Sequence, residues 1–168
     1  MDSVKRPLWA PWRIDFLRAK KDKKCFLCGQ EKATDSEEEK IIIARGRTVF
    51  ALLNRYPYNS GHLMIAPYRH TGDISELSAE ERNELMEMSV KAKEVLHKLM
   101  KPDGYNIGFN LGAAAGAGVA DHIHMHIVPR WNGDTNFMPV LADTRVVPET
   151  LEKTAELLMR AWQNKNEN

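Results

Sequence analysis

The chain has 168 residues, the size of one domain, and its 43% hydrophobic and 28% charged residues are ordinary for a globular protein. A formal net charge of +1 gives no pull toward nucleic acid or an acidic membrane, and both are excluded as main partners. No apolar run reaches the length of a membrane span, and the opening MDSVKRPLWAPWR lacks the apolar core of a secretion signal, so a cytoplasmic protein is expected.

The chain reads as a single domain over 1–168, with an irregular segment to about residue 36 docked on it. That segment carries Pro7, Trp9, Pro11 and Trp12, and its tryptophans either cover the core or stack on a base. The cysteines Cys25 and Cys28 follow, in CFLCG. A reducing compartment argues against a structural disulfide there. The pair reads as a redox couple, as half of a zinc site, or as two unrelated thiols. A thioredoxin-like couple should open a helix after a strand, whereas here Gly29 follows and no strand precedes. Two thiolates need two further ligands to close a tetrahedral zinc site, and spacing alone does not choose them from the six histidines. TDSEEEK, at 34–40, is a solvated loop by composition.

Three short apolar segments come next, at 41–44, 48–54 and 62–67, with the length and β-branched content of strands. RYPYNSG between the last two is a turn. A helix then begins at Ser78, which fits a capping box with Glu81. Leu85, Met88, Ala92, Val95 with Leu96, and Leu99 mark one face of it, and Pro102-Asp103-Gly104 stops it. His97 lies on this helix and is expected to be exposed. YNIGFNLG, at 105–112, alternates as a strand; AAAGAGVAD is a small-residue loop; HIHMHIVP, at 122–129, is a further strand. A second helix starts near Pro148, with Leu151, Ala155, Leu158 and Trp162 on one face. About five strands, tight strand-to-strand loops and two helices favour an α+β fold with a mostly antiparallel sheet over a doubly wound parallel one.

Three of the six histidines, His122, His124 and His126, take alternate positions on the last strand. Alternate side chains share a face, so the imidazoles line one side and Ile123, Met125 and Ile127 the other. Three imidazoles cannot all be buried without partners, so this face is expected to look onto a cleft. It suits a plain polar face, a His-x-His metal site, or nucleophilic attack on phosphorus. The last needs a neutral imidazole whose other nitrogen donates to a fixed acceptor, such as a backbone carbonyl. Gly112, Gly116 and Gly118, just before the strand, let backbone N–H groups approach phosphate oxygens, although a tight turn reads the same way.

His122-x-His124-x-His126-Ile-Val resembles the signature of the histidine-triad (HIT) superfamily of nucleotide hydrolases and transferases. ALLNRYPYNSGHLMIAPYRHTGDISEL is similar to the family's strand pair, with Asn54 and His62 at ligand-site positions. YNIGFNLGAAAGAGVADHIHMHIVPRWNGDTNF resembles the branch that contains bacterial diadenosine tetraphosphate phosphorylases. The likeness runs from about Leu8 to Trp162.

The resemblance implies a HIT-type α+β fold, a homodimer, and an enzyme that cleaves dinucleoside polyphosphates by phosphorolysis or hydrolysis. His124 would be the nucleophile, forming a nucleotidyl-histidine at the α-phosphate, and His126 would contact the phosphate or leaving group. Asn54 would hold the ribose, Asn110 a phosphate or the scissile group, and the amides near Gly116 and Gly118 the phosphates. Some relatives carry a serine or threonine hydroxyl in the stretch matched to Gly118, where this chain offers only its backbone. Likeness to galactose-phosphate uridylyltransferases implies a structural zinc on Cys25, Cys28, His70 (in PYRH) and His122, a closed set that would staple the N-terminal segment to the catalytic strand. Water or inorganic phosphate would take the nucleotidyl group. An adenylyl phosphoramidase, a nucleotide-binding module with little activity, and a metalloenzyme with all three histidines on one ion are the rival readings. Arg130 and Trp131 fit either the site or the dimer interface, and Asp121 fits either a loop cap or a histidine orienter.

Overall fold

The computed structural model describes residues 25–30, 41–134 and 149–163. Trp9, Trp12, the loop at 34–40, the stretch 135–137 and Pro148 lie outside them. The chain orders strands β1 (Ile42–Arg45), β2 (Val49–Leu53) and β3 (Leu63–Pro67), helix α1 (Ala79–Met100), strands β4 (Gly104–Phe109) and β5 (Met125–Arg130), and helix α2 (Leu151–Gln163). The sheet runs β1-β2-β3-β5-β4 with every neighbouring pair antiparallel, the α+β architecture expected. No helix among the described residues is long and apolar enough to cross a membrane.

Helix α1 starts where its sequence says it should. Ser78 Oγ accepts from Glu81 N–H at 3.1 Å, and Glu81 Oε2 accepts from Ser78 N–H at 2.7 Å, so both halves of the capping box form. Lys101, in the left-handed region at φ 46, closes the other end ahead of Pro102. Leu85, Ala92, Val95 and Leu96 are buried, but Leu99 is 40% exposed. The last turn overhangs the core, and Met100 rather than Leu99 packs inward. His97 is exposed, as expected. Helix α2 buries Ala155, Leu158 and Trp162, with Lys91 of α1 held 4.9 Å over the Trp162 ring.

Strands β2 and β3 are buried along their whole length, so they lack the polar alternation of a half-exposed strand. Their register aligns Leu52, Met64 and His126 on one face, and Leu53, Leu63 and Ile127 on the other. The β3–β5 ladder stops at Ile65↔Met125. Ile123 would next face Pro67, which has no N–H to give. Ile123 N–H turns instead to Thr71 O at 2.6 Å. The expected strand at 122–129 is therefore paired only from Met125, and His122 and His124 sit just before it.

Candidate active site and metal centre

Leaving the ladder frees the backbone of 122–124 to make side-chain contacts. His124 Nδ1–H donates to the carbonyl of His122 at 2.8 Å. A carbonyl can only accept, so Nδ1 carries a proton, and Nε2 is the ring nitrogen this bond leaves over. Nε2 has no hydrogen-bond partner among the described residues. His126 stands 4.8 Å away, centroid to centroid, at 70°.

The proton on His126 follows from a chain of donors. Tyr58 main-chain N–H donates to His62 Nδ1 at 3.0 Å, so the neutral His62 carries its proton on Nε2. That N–H faces His126 Nδ1 at 2.9 Å, which must accept it, leaving His126 protonated on Nε2. Neighbouring imidazoles are thus held through the same ring atom in opposite senses: His124 Nδ1 donates and His126 Nδ1 accepts. Asn110 Nδ2 lies 3.5 Å from His126 Nε2.

Burial, then repulsion from His126 and His124, pushes His62 from 6.5 down to about 3. Burial, then His124, pushes His126 down to about 4. Burial also lowers His122, with His70 and His124 adding to the effect against a bond to Pro67. These rings are neutral at pH 7, as the chain of donors through His62 and His126 requires.

The three imidazoles of the triad are largely buried, and each is partnered. His122, His124 and His126 are 0%, 7% and 8% exposed, each with a partner of its own. His62 is fully buried with both ring nitrogens engaged, so this geometry leaves it no ligand contact; it stands behind His126. Asn54 Oδ1 accepts from Tyr56 N–H at 2.9 Å, and its Nδ2 lies 3.4 Å from His62 Nδ1. Gly112 and Gly116 adopt left-handed φ values of 78 and 83, which a side chain rarely takes. Gly118 does not, and an added Cβ there would meet nothing within 4 Å.

Cys25, Cys28, His70 and His122 come together, with their ligand atoms all within 4.8 Å of one another, and could hold a metal ion. His122 Nδ1 is 3.4 Å from Cys25 Sγ, 3.6 Å from Cys28 Sγ and 3.3 Å from His70 Nδ1; Cys28 Sγ is 3.2 Å from His70 Nδ1. His122 Nε2–H donates to Pro67 O at 2.8 Å, which leaves Nδ1 as the ligating atom. His124 and His126 are not in this group, so the three-histidine ion is not what the described residues assemble.

Tyr58 was not legible as a site residue. Its ring lies 4.7 Å from that of His62 and 5.7 Å from that of His126, and only its place in a turn ahead of His62 hinted at this. Arg130 pairs with Asp134 and Asn106, and Trp131 Nε1–H donates to Met100 O, so both fasten the loop after β5. Asp121 is exposed.

The HIT domain model matches residues 35–133. A Mycobacterium tuberculosis protein named AP-4-A phosphorylase is 40% identical over 96% of this chain and 86% of its own length. The chain belongs to the HIT family. A Schizosaccharomyces pombe protein named bis(5'-nucleosyl)-tetraphosphatase (asymmetrical) is 28% identical over 75% of this chain and 65% of its own. A crystal structure described as a Zn-bound histidine triad family protein from Mycobacterium smegmatis superposes with a TM-score of 0.59 at 30% identity, covering 72% of this chain and 82% of that one. Named enzymes stand among these relatives, and this HIT chain is an enzyme.

Proposed function

We propose that the chain transfers a nucleotidyl group from a dinucleoside polyphosphate, such as diadenosine tetraphosphate, to inorganic phosphate, with water as the slower acceptor. The observation that carries this is the pair of bonds that fix the two rings: His124 Nδ1 on the His122 carbonyl at 2.8 Å, and His126 Nδ1 on His62 Nε2 at 2.9 Å. His124 Nε2 attacks the α-phosphorus and forms an N–P bond as the bond to the bridging oxygen breaks, expelling ATP. His126 Nε2–H donates to a non-bridging or leaving oxygen, with the Asn110 amide 3.5 Å from that nitrogen. Phosphate then attacks the adenylyl-histidine and leaves as ADP; water would leave AMP. The relative named as a phosphorylase favours phosphate as acceptor.

Asn54 faces the ribose, and the amides at Gly116 and Gly118 face the phosphates. Among the described residues nothing stands within 4 Å of a Cβ added at Gly118, and its φ is not left-handed, so the backbone there is open to close approach of a ligand.

The metal is zinc, and its role is structural. Zinc bonds of about 2.3 Å to sulfur and about 2.0–2.1 Å to nitrogen, at tetrahedral angles, set S···N near about 3.5 Å and N···N near about 3.4 Å. The observed 3.2–3.6 Å and 3.3 Å fit. Four protein ligands leave no open position for substrate. Its residues tie the segment at 25–30 to His122, whose carbonyl holds His124.

The whole of 1–168 forms one domain, and the protein is cytoplasmic, where a reducing medium keeps Cys25 and Cys28 available as ligands. It works as a homodimer. Strand β4 is a sheet edge with Asn106 and Ile107 exposed, and an uncovered edge invites a second copy.

The deciding experiment is turnover of diadenosine tetraphosphate with and without phosphate, with products separated. ATP plus ADP, only when phosphate is present, is the expected result; ATP plus AMP regardless of phosphate would make the enzyme a hydrolase. His124→Ala should abolish turnover and the trapped adenylyl adduct, and wild-type rates from that variant would overturn the reading.

A further inference from the structure

The cysteine–histidine cluster is unevenly protected. His122 is fully buried and Cys25 half-buried, while Cys28 and His70 are exposed. The thiols sit at the two ends of one four-residue turn, closed by Cys28 N–H donating to Cys25 O at 3.1 Å. Such a turn keeps its end Cα atoms within about 7 Å, and a disulfide asks for about 4.4–6.8 Å. The sulfurs already lie within 4.8 Å of each other, so side-chain rotation can join them without unfolding the turn.

We propose that Cys25 and Cys28 are an oxidation site, at which a peroxide converts the pair to an intrachain disulfide, releases the zinc and slackens the hold on His124. Two thiolates yield two electrons to hydrogen peroxide, which takes up two protons and leaves as two waters while the S–S bond forms. A disulfide does not ligate zinc as thiolate does, and His70 with His122 is half a site. The exposed Cys28 gives peroxide its entry.

The effect reaches the catalytic strand through one residue. The side chain of His122 belongs to the cluster, and its carbonyl accepts from His124 Nδ1–H. Losing the metal leaves the side chain held by its bond to Pro67 O alone, which loosens the carbonyl and with it the orientation of His124. The turn itself stays docked: Leu27 is 0% exposed in the core, and Arg45 Nε–H donates to Gln30 O at 2.9 Å. The change is therefore reversible.

This rests on the zinc reading above, and the test separates the two. The full chain, zinc-loaded, is first assayed for bound metal; a chain that binds none overturns both readings. It is then titrated with hydrogen peroxide while zinc release, alkylatable thiols and turnover of diadenosine tetraphosphate are followed. These are the chain's two cysteines, so an intrachain disulfide is necessarily this one. The expected result is zinc release in step with the loss of both thiols and a fall in turnover of at least about tenfold, all restored by a dithiol with added zinc. Zinc retained under peroxide, a disulfide between two chains, or zinc lost with turnover unchanged each overturns the proposal. If the chain proves inactive on this substrate, zinc and thiol counts still decide the oxidation step, and the signal of His124 Nδ1–H in nitrogen-15 spectra replaces turnover: sharp before peroxide and exchange-broadened after it if the coupling exists, unchanged if it does not.

Discussion

A neutral imidazole buried against other imidazoles makes the fold sensitive to acid. His62 and His126 hold pKa values of about 3 and about 4 against 6.5 in an unfolded chain. As pH falls below 6.5 the unfolded state takes up these protons first, so stability that is complete above that value drains away toward the folded values. Each group contributes a slope of up to about 1.4 kcal/mol per pH unit. Urea midpoints measured between about pH 7.5 and about pH 5, above most carboxylate titration, should fall steadily over the lower half of that range. A flat profile would mean that the two rings are not held neutral. His126→Ala, which removes the inward N–H, should lower kcat by about 10²–10⁴-fold and leave KM less affected. A variant that changes only KM would assign His126 to ground-state binding.

At the scale of elements, the ends of β1, β2 and α1 meet at Glu84. Its carboxylate accepts from Arg47 N–H and Thr48 N–H, both at 2.7 Å, and from the Thr48 hydroxyl. Glu84→Ala leaves two turn amides without their acceptor and should cost about 1–3 kcal/mol in denaturant unfolding. Ser78→Ala, which removes one half of the capping box, should cost about 1 kcal/mol. Equal, negligible losses in both would mean that α1 is held by packing alone. The existence of these elements was readable because each obeys a local rule: a box at Ser78, a helical stripe ending near Pro102, β-branched runs between turns. Their limits were less readable where a distant residue decides them. Nothing within HIHMHIVP says that pairing begins at Met125, because the cause is Pro67, 58 positions earlier. The pairing of His62 with His126 and the ring of Tyr58 were hidden for the same reason. By contrast, the parity of the three histidines is intrinsic to an extended chain and survives outside the ladder.

For the whole molecule, the exposed edge of β4 bears on assembly. Ile107 is 49% exposed on that strand, and on the proposed dimer its replacement by Lys should shift the chain to monomer in sedimentation velocity. An unchanged dimer would move the interface elsewhere. Removing zinc with a chelator should lower the thermal midpoint, because the ion binds the folded chain in preference to the unfolded one. Restoring zinc should bring the midpoint back, and a midpoint indifferent to the chelator would deny the ion its structural part.

A single missing hydrogen at Pro67 has reach beyond its own strand. Where an N–H would let two strands zip closed, the ring nitrogen leaves a gap, and the segment at 122–124 peels off to present one carbonyl to His124 and one imidazole to the cysteine cluster. Pro67→Ala would hand the zipper its next tooth: the sheet would gain a rung, and His124 would lose the posture that the gap allows.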